Sequence, residues 1–227
     1  MPNPPEQTTA FRPPAPRAVT IDGPLGPLEA RVEDPVATEA AHAVVGVVCH
    51  PHPLHGGTMQ NKVVHTVARA MQEAGAATVR FNFRGVGASA GSFDDGPGEL
   101  EDALAVVAWV RDQFQCETLW LAGFSFGAAV ALRAAATAQP QKLVTVAPAV
   151  TRLLAAPISS PSCPWLLVQG DQDELVDVNE VREWAKAFSE PPELLIVQGA
   201  VHFFHGKLTD LRTGVLGFLQ DEARAQP

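Results

Sequence analysis

The chain of 227 residues has a formal net charge of −9 at pH 7, and 46% of its residues are hydrophobic. This length and composition are sufficient for one sizeable core, so we expect a single domain. The negative charge disfavours contact with phosphate backbones and anionic headgroups, so we expect neither nucleic acid nor a membrane as a partner.

The cysteines and the N-terminus bear on the compartment. Cys49, Cys116 and Cys163 are scattered and form no C-x-x-C pair, which argues against a disulfide framework and suits a reducing environment. The proline-rich N-terminus lacks the apolar core of a signal peptide, and no run of about 18 apolar residues predicts a membrane span. We therefore expect a cytoplasmic protein.

The chain begins with a segment that can bury little. Residues 1–17 are rich in proline and predict an extended arm, whereas 18–227 predict one domain. The short segments 18–21 and 28–32 are separated by the glycines and prolines of DGPLGP. They predict an antiparallel hairpin at the edge of a sheet.

Continuous apolar runs then alternate with helical patterns. The runs are 43–50, 77–83, 118–125, 143–148, 165–170 and 193–199. Helical patterns, with apolar residues three and four positions apart, include 61–75, 98–114 and 179–188. This alternation is typical of a mostly parallel, twisted sheet with helices on both faces, because each strand is then buried on both sides. The predicted fold class is therefore α/β.

A G-x-S-x-G motif, GFSFG, stands after the run 118–125 and before a helical stretch. This context is typical of a nucleophile elbow, a sharp turn that holds a serine in a strained conformation. Gly123 and Gly127 would supply the clearance that such a turn needs. We expect Ser125 to be a nucleophile.

A serine hydroxyl needs a base, and the base needs a carboxylate to orient it. Asp171 and Asp173 follow the penultimate apolar run, and either could serve, the other being a turn residue. We expect Glu174 beside them to face solvent. His202 follows the last run directly and is the expected base, whereas His205 is expected at the surface. The order serine, aspartate, histidine is the one that this kind of elbow uses.

Acyl transfer also needs two N–H donors for the developing oxyanion, each worth about 3 to 4 kcal/mol of barrier. One donor is expected to be the backbone N–H of Phe126. The other should come from the loop HPHPLHGGT after the first buried run. Pro51 and Pro53 have no N–H, so His52 and Leu54 remain as candidates.

Two other patterns suggest ligands. The imidazoles of His50, His52 and His55 could share a face and hold zinc, but no carboxylate or cysteine joins them at ligand spacing. The glycine-rich segment 81–91 lacks the Lys-Ser/Thr ending of a phosphate-binding loop, and its glycines do not follow G-x-G-x-x-G. We therefore expect no metal and no other cofactor.

Several stretches together resemble small bacterial α/β-hydrolases without a cap domain that are related to dienelactone hydrolase. They are CHPHPLHGGTMQNKV, FNFRGVGASAGSFDDGPGELEDALAVVAW, GFSFG, GDQDELV and GAVHFFHGKL. The likeness covers most of the chain after residue 40. It implies the α/β-hydrolase fold, and the sixteen residues 149–164 between two runs leave little room for a cap. Dienelactone hydrolases use a cysteine nucleophile, and Ser125 departs from that, so lactone specificity is not implied.

The resemblance also implies roles for particular residues. The second acidic position of the GDQDELV stretch, Asp173, is the one that orients the histidine in the family pattern. The loop HPHP resembles an H-G-x-P loop, with Pro51 in place of glycine, and the donor position of that loop is His52. The segment beginning at Phe83 resembles an F-R-G-x-G-x-S loop, which shapes the rim of the site.

The expected function is that of a carboxylesterase-like serine hydrolase that cleaves a small-molecule ester through an acyl-enzyme. A thioesterase or a peptidase would use the same residues, and a non-catalytic binding protein would keep the scaffold. A metal-dependent hydrolase built on the histidine cluster is a further alternative. The oligomeric state and the natural substrate are not indicated by the sequence.

Overall fold

The structure is a computed structural model that describes residues 16–36, 43–150, 158 and 160–221. Most of the proline-rich arm expected at 1–17 lies outside these residues. The described chain forms an eight-stranded sheet in the order β1-β2-β4-β3-β5-β6-β7-β8. The strands are β1 Arg17–Gly23, β2 Gly26–Glu33, β3 Val44–Cys49, β4 Ala77–Phe81, β5 Thr118–Phe124, β6 Lys142–Val146, β7 Trp165–Gly170 and β8 Glu193–Val197.

The hairpin predicted from DGPLGP forms one edge of this sheet. β1 pairs with β2 in antiparallel register, with Ile21 opposite Leu28, and β2 runs antiparallel to β4. All the other pairs, from β4 to β8, are parallel. β1 begins at Arg17, the last residue of the expected arm.

Helices cover both faces of the sheet, as the sequence predicts. They are α1 Lys62–Glu73, α2 Pro97–Phe114, α3 Phe126–Ala138, α4 Val178–Lys186 and α5 Leu208–Gln220. α2, α3 and α4 pack into one apolar cluster, whereas α1 and α5 pack into the other. Alternate strand side chains point to opposite faces, so that Val45 and Val47 join the first cluster and Val48 the second. The expected α/β class is therefore confirmed.

Several strands end one or two residues before the ends of their apolar runs. β4 stops at Phe81 rather than at residue 83, and the Phe83 N–H donates to the His50 ring at 3.0 Å instead of to a neighbouring strand. The connection between β6 and β7 contains residues 151–157 and 159, which lie outside the described residues. Within the ranges described, no helix is both long and apolar enough to span a bilayer.

Candidate active site

Ser125 occupies the sharp turn between β5 and α3. Its backbone has φ 54° and ψ −114°, a conformation that costs a non-glycine residue about 1 to 3 kcal/mol. The turn is held because the Ser125 N–H donates to the Val146 carbonyl at 2.8 Å, and the Ser125 carbonyl accepts from the Ala128 N–H at 3.1 Å. The serine side chain is thereby fixed at the carboxyl edge of the sheet.

The two motif glycines allow this turn to be packed tightly. A Cβ at Gly123 would overlap the carbonyl oxygen of Gly127 at the start of α3. A Cβ at Gly127 would in turn overlap the carbonyl oxygens of His50 and Cys49 at the end of β3. Both positions therefore need glycine for steric reasons, as the sequence predicts.

Three side chains from distant parts of the chain meet at this turn. The His202 Nε2 lies 3.1 Å from the Ser125 Oγ, and its Nδ1 lies 2.8 Å from the Asp173 Oδ2. A carboxylate only accepts, so Nδ1 donates to Asp173 and the neutral ring presents a lone pair on Nε2 to the serine hydroxyl. The histidine is thus oriented to take the serine proton.

Asp173 is held as an anion by its surroundings. Its side chain is fully buried, and its Oδ1 accepts from the Leu175 and Val176 N–H groups, each at 2.9 Å. Burial works to raise the pKa of Asp173, but the hydrogen bond and charge of His202 and these backbone donors outweigh it and lower that pKa. Asp171 instead accepts the Gly199 N–H at 2.6 Å, which ties it to the turn after β8.

Sequence reasoning missed Gln169, a fully buried residue of β7. Its Nε2 lies 2.9 Å from the Asp173 Oδ2 and 3.1 Å from the Val176 carbonyl. Both neighbours only accept, so the amide nitrogen must face them, and among the described residues the Gln169 Oε1 has no donor. Leaving a buried acceptor unpaired costs about 1 to 3 kcal/mol. The glutamine side chain therefore donates to Asp173 at the cost of leaving its own oxygen without a donor among the described residues. The sequence feature that could have indicated this role is a polar residue, Gln169, inside the apolar run WLLVQG.

Glu174 is exposed, as expected, but it is also part of the site. Its Oε2 accepts the backbone N–H of His202 at 3.1 Å, an interaction that the sequence reasoning did not foresee. The carboxylate thus anchors the histidine backbone, while Asp173 anchors its ring. His205 is exposed, with its ring stacked 6.1 Å from that of Phe203.

The two expected oxyanion donors have free N–H groups. Among the described residues, neither the Phe126 nor the His52 N–H has a hydrogen-bond acceptor, and Phe126 is the first residue of α3. The Leu54 N–H, the other candidate, donates to the His52 Nδ1 at 3.2 Å and is therefore occupied. The rings of His52 and Phe126 lie 5.2 Å apart, so the two residues face each other beside the elbow.

His50 supports the backbone of this loop and is not available to share a metal ion with His52. Its Nδ1 lies 2.6 Å from the Pro51 carbonyl, and its Nε2 accepts the Phe83 N–H, so the ring is neutral with its proton on Nδ1. Burial lowers the pKa of His50 to about 4, against a smaller opposing effect of the Pro51 hydrogen bond. With both nitrogens engaged, His50 has no lone pair for a metal. In the described ranges, no group of three or more histidine, cysteine or acidic residues could hold a metal ion.

The glycine-rich loop after β4 is fixed by a buried ion pair. The Arg84 Nε and Nη2 donate to Asp102 of α2 at distances of 2.8 to 3.1 Å, and the Arg84 N–H donates to the same carboxylate. The hydrogen bonds with Asp102 raise the pKa of Arg84 above its ordinary value. A Cβ at Gly98 would overlap the guanidinium group, so this glycine makes room for the pair.

Comparison with known proteins shows the family to which this chain belongs. The family model described as X-Pro dipeptidyl-peptidase (S15 family) matches residues 22–154. An uncharacterized protein of Rickettsia prowazekii is 31% identical over 222 residues, which cover 88% of this chain and 87% of that protein.

Two solved structures are more similar still. An α/β serine hydrolase without a lid from Xanthomonas campestris is 46% identical, with a TM-score of 0.87 over 96% of this chain and all of that one. An α/β serine hydrolase homologue from Coxiella burnetii is also 46% identical, with a TM-score of 0.85 over 88% and 96% of the two chains. This chain therefore belongs to the α/β-hydrolase family that the S15 model matches and, within it, to the serine hydrolases without a lid.

Proposed function

We propose that this serine hydrolase is a carboxylesterase-like enzyme that cleaves a small-molecule ester through a triad of Ser125, His202 and Asp173. The observation that carries the proposal is the continuous hydrogen-bond chain from the Ser125 Oγ through both nitrogens of His202 to the Asp173 carboxylate. A base held in this orientation can take the hydroxyl proton as the serine attacks.

The reaction would proceed in two stages. In the first, the Ser125 Oγ bonds to the ester carbonyl carbon while its proton passes to the His202 Nε2. The same proton then goes to the departing alcohol as the carbon–oxygen bond breaks, which leaves an acyl-serine. In the second stage, His202 takes a proton from water as the water oxygen bonds to the acyl carbon. The bond between that carbon and the Ser125 Oγ then breaks, His202 returns the proton to the Oγ, and the acid is released.

The negative charge on the carbonyl oxygen would be stabilised by two backbone donors. Among the described residues, the Phe126 and His52 N–H groups have no acceptor, and the rings of these two residues lie 5.2 Å apart. Donors fixed before the reaction stabilise the oxyanion without reorganisation, which is usually the largest electrostatic contribution to acyl transfer. No cofactor is required by this mechanism.

Replacement of the nucleophile tests the proposal. Ser125→Ala is expected to lower kcat/KM for a p-nitrophenyl ester by at least about 10³-fold and to abolish labelling by a fluorophosphonate. Ser162→Ala is the matched control, because this exposed serine precedes β7 at the opposite end of the strands, and it should retain both. Undiminished hydrolysis or labelling in Ser125→Ala would refute the assignment.

A peptidase is the second candidate, because the matching family model is described as an X-Pro dipeptidyl-peptidase. The same triad can cleave an amide, provided that His202 protonates the departing amine. Parallel assays with p-nitrophenyl esters, thioesters and an X-Pro p-nitroanilide separate the possibilities. We expect the oxygen ester to give the highest kcat/KM, and a higher value for the X-Pro substrate would favour the peptidase.

A further inference from the structure

Large apolar side chains are exposed on the described chain at few positions. They are Leu25, Leu54, Leu175 and Phe203, with 57%, 69%, 65% and 39% of their surface accessible. Single exposed leucines are common on protein surfaces, so their placement decides whether they have a role.

Three of these residues adjoin the proposed catalytic groups. The Leu54 N–H donates to the His52 ring, and the Leu175 N–H donates to Asp173. Phe203 follows His202 directly, and the two rings lie 5.2 Å apart. We name Leu54, Leu175 and Phe203 the apolar rim.

The sheet order places the apolar rim on both sides of the nucleophile. Leu54 follows β3, which is next to β5, whereas Leu175 follows β7, two strands away on the other side. Neighbouring strands are about 4.8 Å apart, so the strand ends from which these two loops start are separated by about 14 Å, with β5 and its Ser125 turn between them. Phe203 follows β8, and its ring lies 5.8 Å from that of Phe124 beside the serine.

Further aromatic rings lie on the Leu54 side. The Phe93 ring lies 4.8 Å from that of His52 and 5.7 Å from that of Phe126. Apolar side chains next to the proposed catalytic groups favour a substrate group over an unrelated partner, because the substrate must lie there during the reaction. Apolar side chains also favour an uncharged group, and the net charge of −9 disfavours an anionic one.

We propose that the apolar rim binds a long, uncharged hydrocarbon chain of the substrate, so that the enzyme prefers esters with an octanoyl-sized chain to acetyl esters. The inference rests on the proposed ester hydrolysis at Ser125. Each methylene group that leaves water strengthens binding, so even partial cover of the chain produces a marked preference.

Chain-length series in variants of the apolar rim test this inference. We expect the ratio of kcat/KM for p-nitrophenyl octanoate to that for the acetate to fall about three- to tenfold in Leu54→Ser, Leu175→Ser and Phe203→Ser. A higher kcat/KM for octyl acetate than for ethyl acetate, without a preference for the octanoate, would show that the rim binds the alcohol chain and not the acyl chain. Leu25→Ser is the matched control, since Leu25 is comparably exposed but lies in the β1–β2 turn, at least three strands from β5, and its ratio should equal that of the native protein.

A binding measurement separates failure of this inference from failure of the proposed function. Methyl octyl ketone has the chain but no ester bond, so its affinity does not depend on turnover. Tighter binding to native protein and to Leu25→Ser than to the variants of the apolar rim supports the inference, even if no ester is cleaved. Equal binding, or a native dimer that these variants convert to monomers, overturns it.

Discussion

At the scale of single residues, the site combines local strain with exact hydrogen-bond partners. Ser125 keeps an unfavourable φ because its N–H and carbonyl are both engaged and because Gly123 and Gly127 let the helix and strand approach. The Gln169 amide donates to Asp173, while its Oε1 has no donor among the described residues. In both residues, a local cost accompanies the orientation of a proposed catalytic side chain.

The choice between the two aspartates can be tested at this scale. Asp173→Asn is expected to lower kcat by about 10³- to 10⁴-fold, because an amide can present its N–H₂ to the histidine and favour the wrong tautomer. Asp171→Asn should change kcat by less than about threefold, since its Oδ1 can still accept the Gly199 N–H. Steady-state kinetics with one p-nitrophenyl ester distinguishes them, and equal losses would contradict the assignment.

At the scale of elements, a buried ion pair holds the loop after β4 against α2. Arg84 and Asp102 are both buried and pair through several hydrogen bonds, whereas the second carboxylate on Arg84, that of Glu101, is 63% exposed. A buried pair is costly to break, because the remaining partner keeps its charge without compensation. This pair therefore fixes where the loop lies relative to α2.

Replacing each carboxylate in turn separates the contribution of the buried ion pair to stability from that of the exposed pair. Asp102→Ala is expected to reduce the free energy of unfolding by about 3 to 5 kcal/mol, because it leaves the Arg84 guanidinium buried and unpaired. Glu101→Ala should reduce it by less than about 1 kcal/mol, since water screens an exposed pair. Urea unfolding curves give both values, and a small loss in Asp102→Ala would show that the loop is held by other contacts.

At the scale of the whole molecule, the topology gathers the proposed catalytic groups at one edge of the sheet. β3, β5, β7 and β8 are parallel, so the segments that follow them emerge at the same end of the sheet. Helices on both faces fix the strands, and the chain belongs with serine hydrolases without a lid. A site without a lid is consistent with a substrate that is partly bound by exposed side chains.

The stability of the whole fold should depend on pH through His50. Because burial lowers the pKa of His50 to about 4, against about 6.5 for a free histidine, the unfolded chain binds a proton that the native state excludes. The stabilisation is complete above about pH 6.5 and is lost progressively, by roughly 3 kcal/mol, as pH falls toward 4. Unfolding free energies of native protein and His50→Gln between pH 7 and 4 should converge, and parallel curves would contradict this role.

The sequence by itself determined the α/β class, the order of the elements and the elbow at Ser125, because apolar periodicity and a motif within five residues are local properties. It also limited the candidates for the orienting acid, the base and the oxyanion donors to residues in short loops. Local patterns left Asp171 and Asp173, and likewise His52 and Leu54, as alternatives, and the family resemblance favoured Asp173 and His52. The tertiary structure supplies the physical reason for this choice: the Leu54 N–H is taken by His52, and Asp173 rather than Asp171 contacts His202. The roles of Gln169 and Glu174, and the pairing of Arg84 with Asp102, likewise depend on tertiary geometry. No local pattern encodes these contacts, since each depends on where separate loops and strands come to lie in the folded sheet.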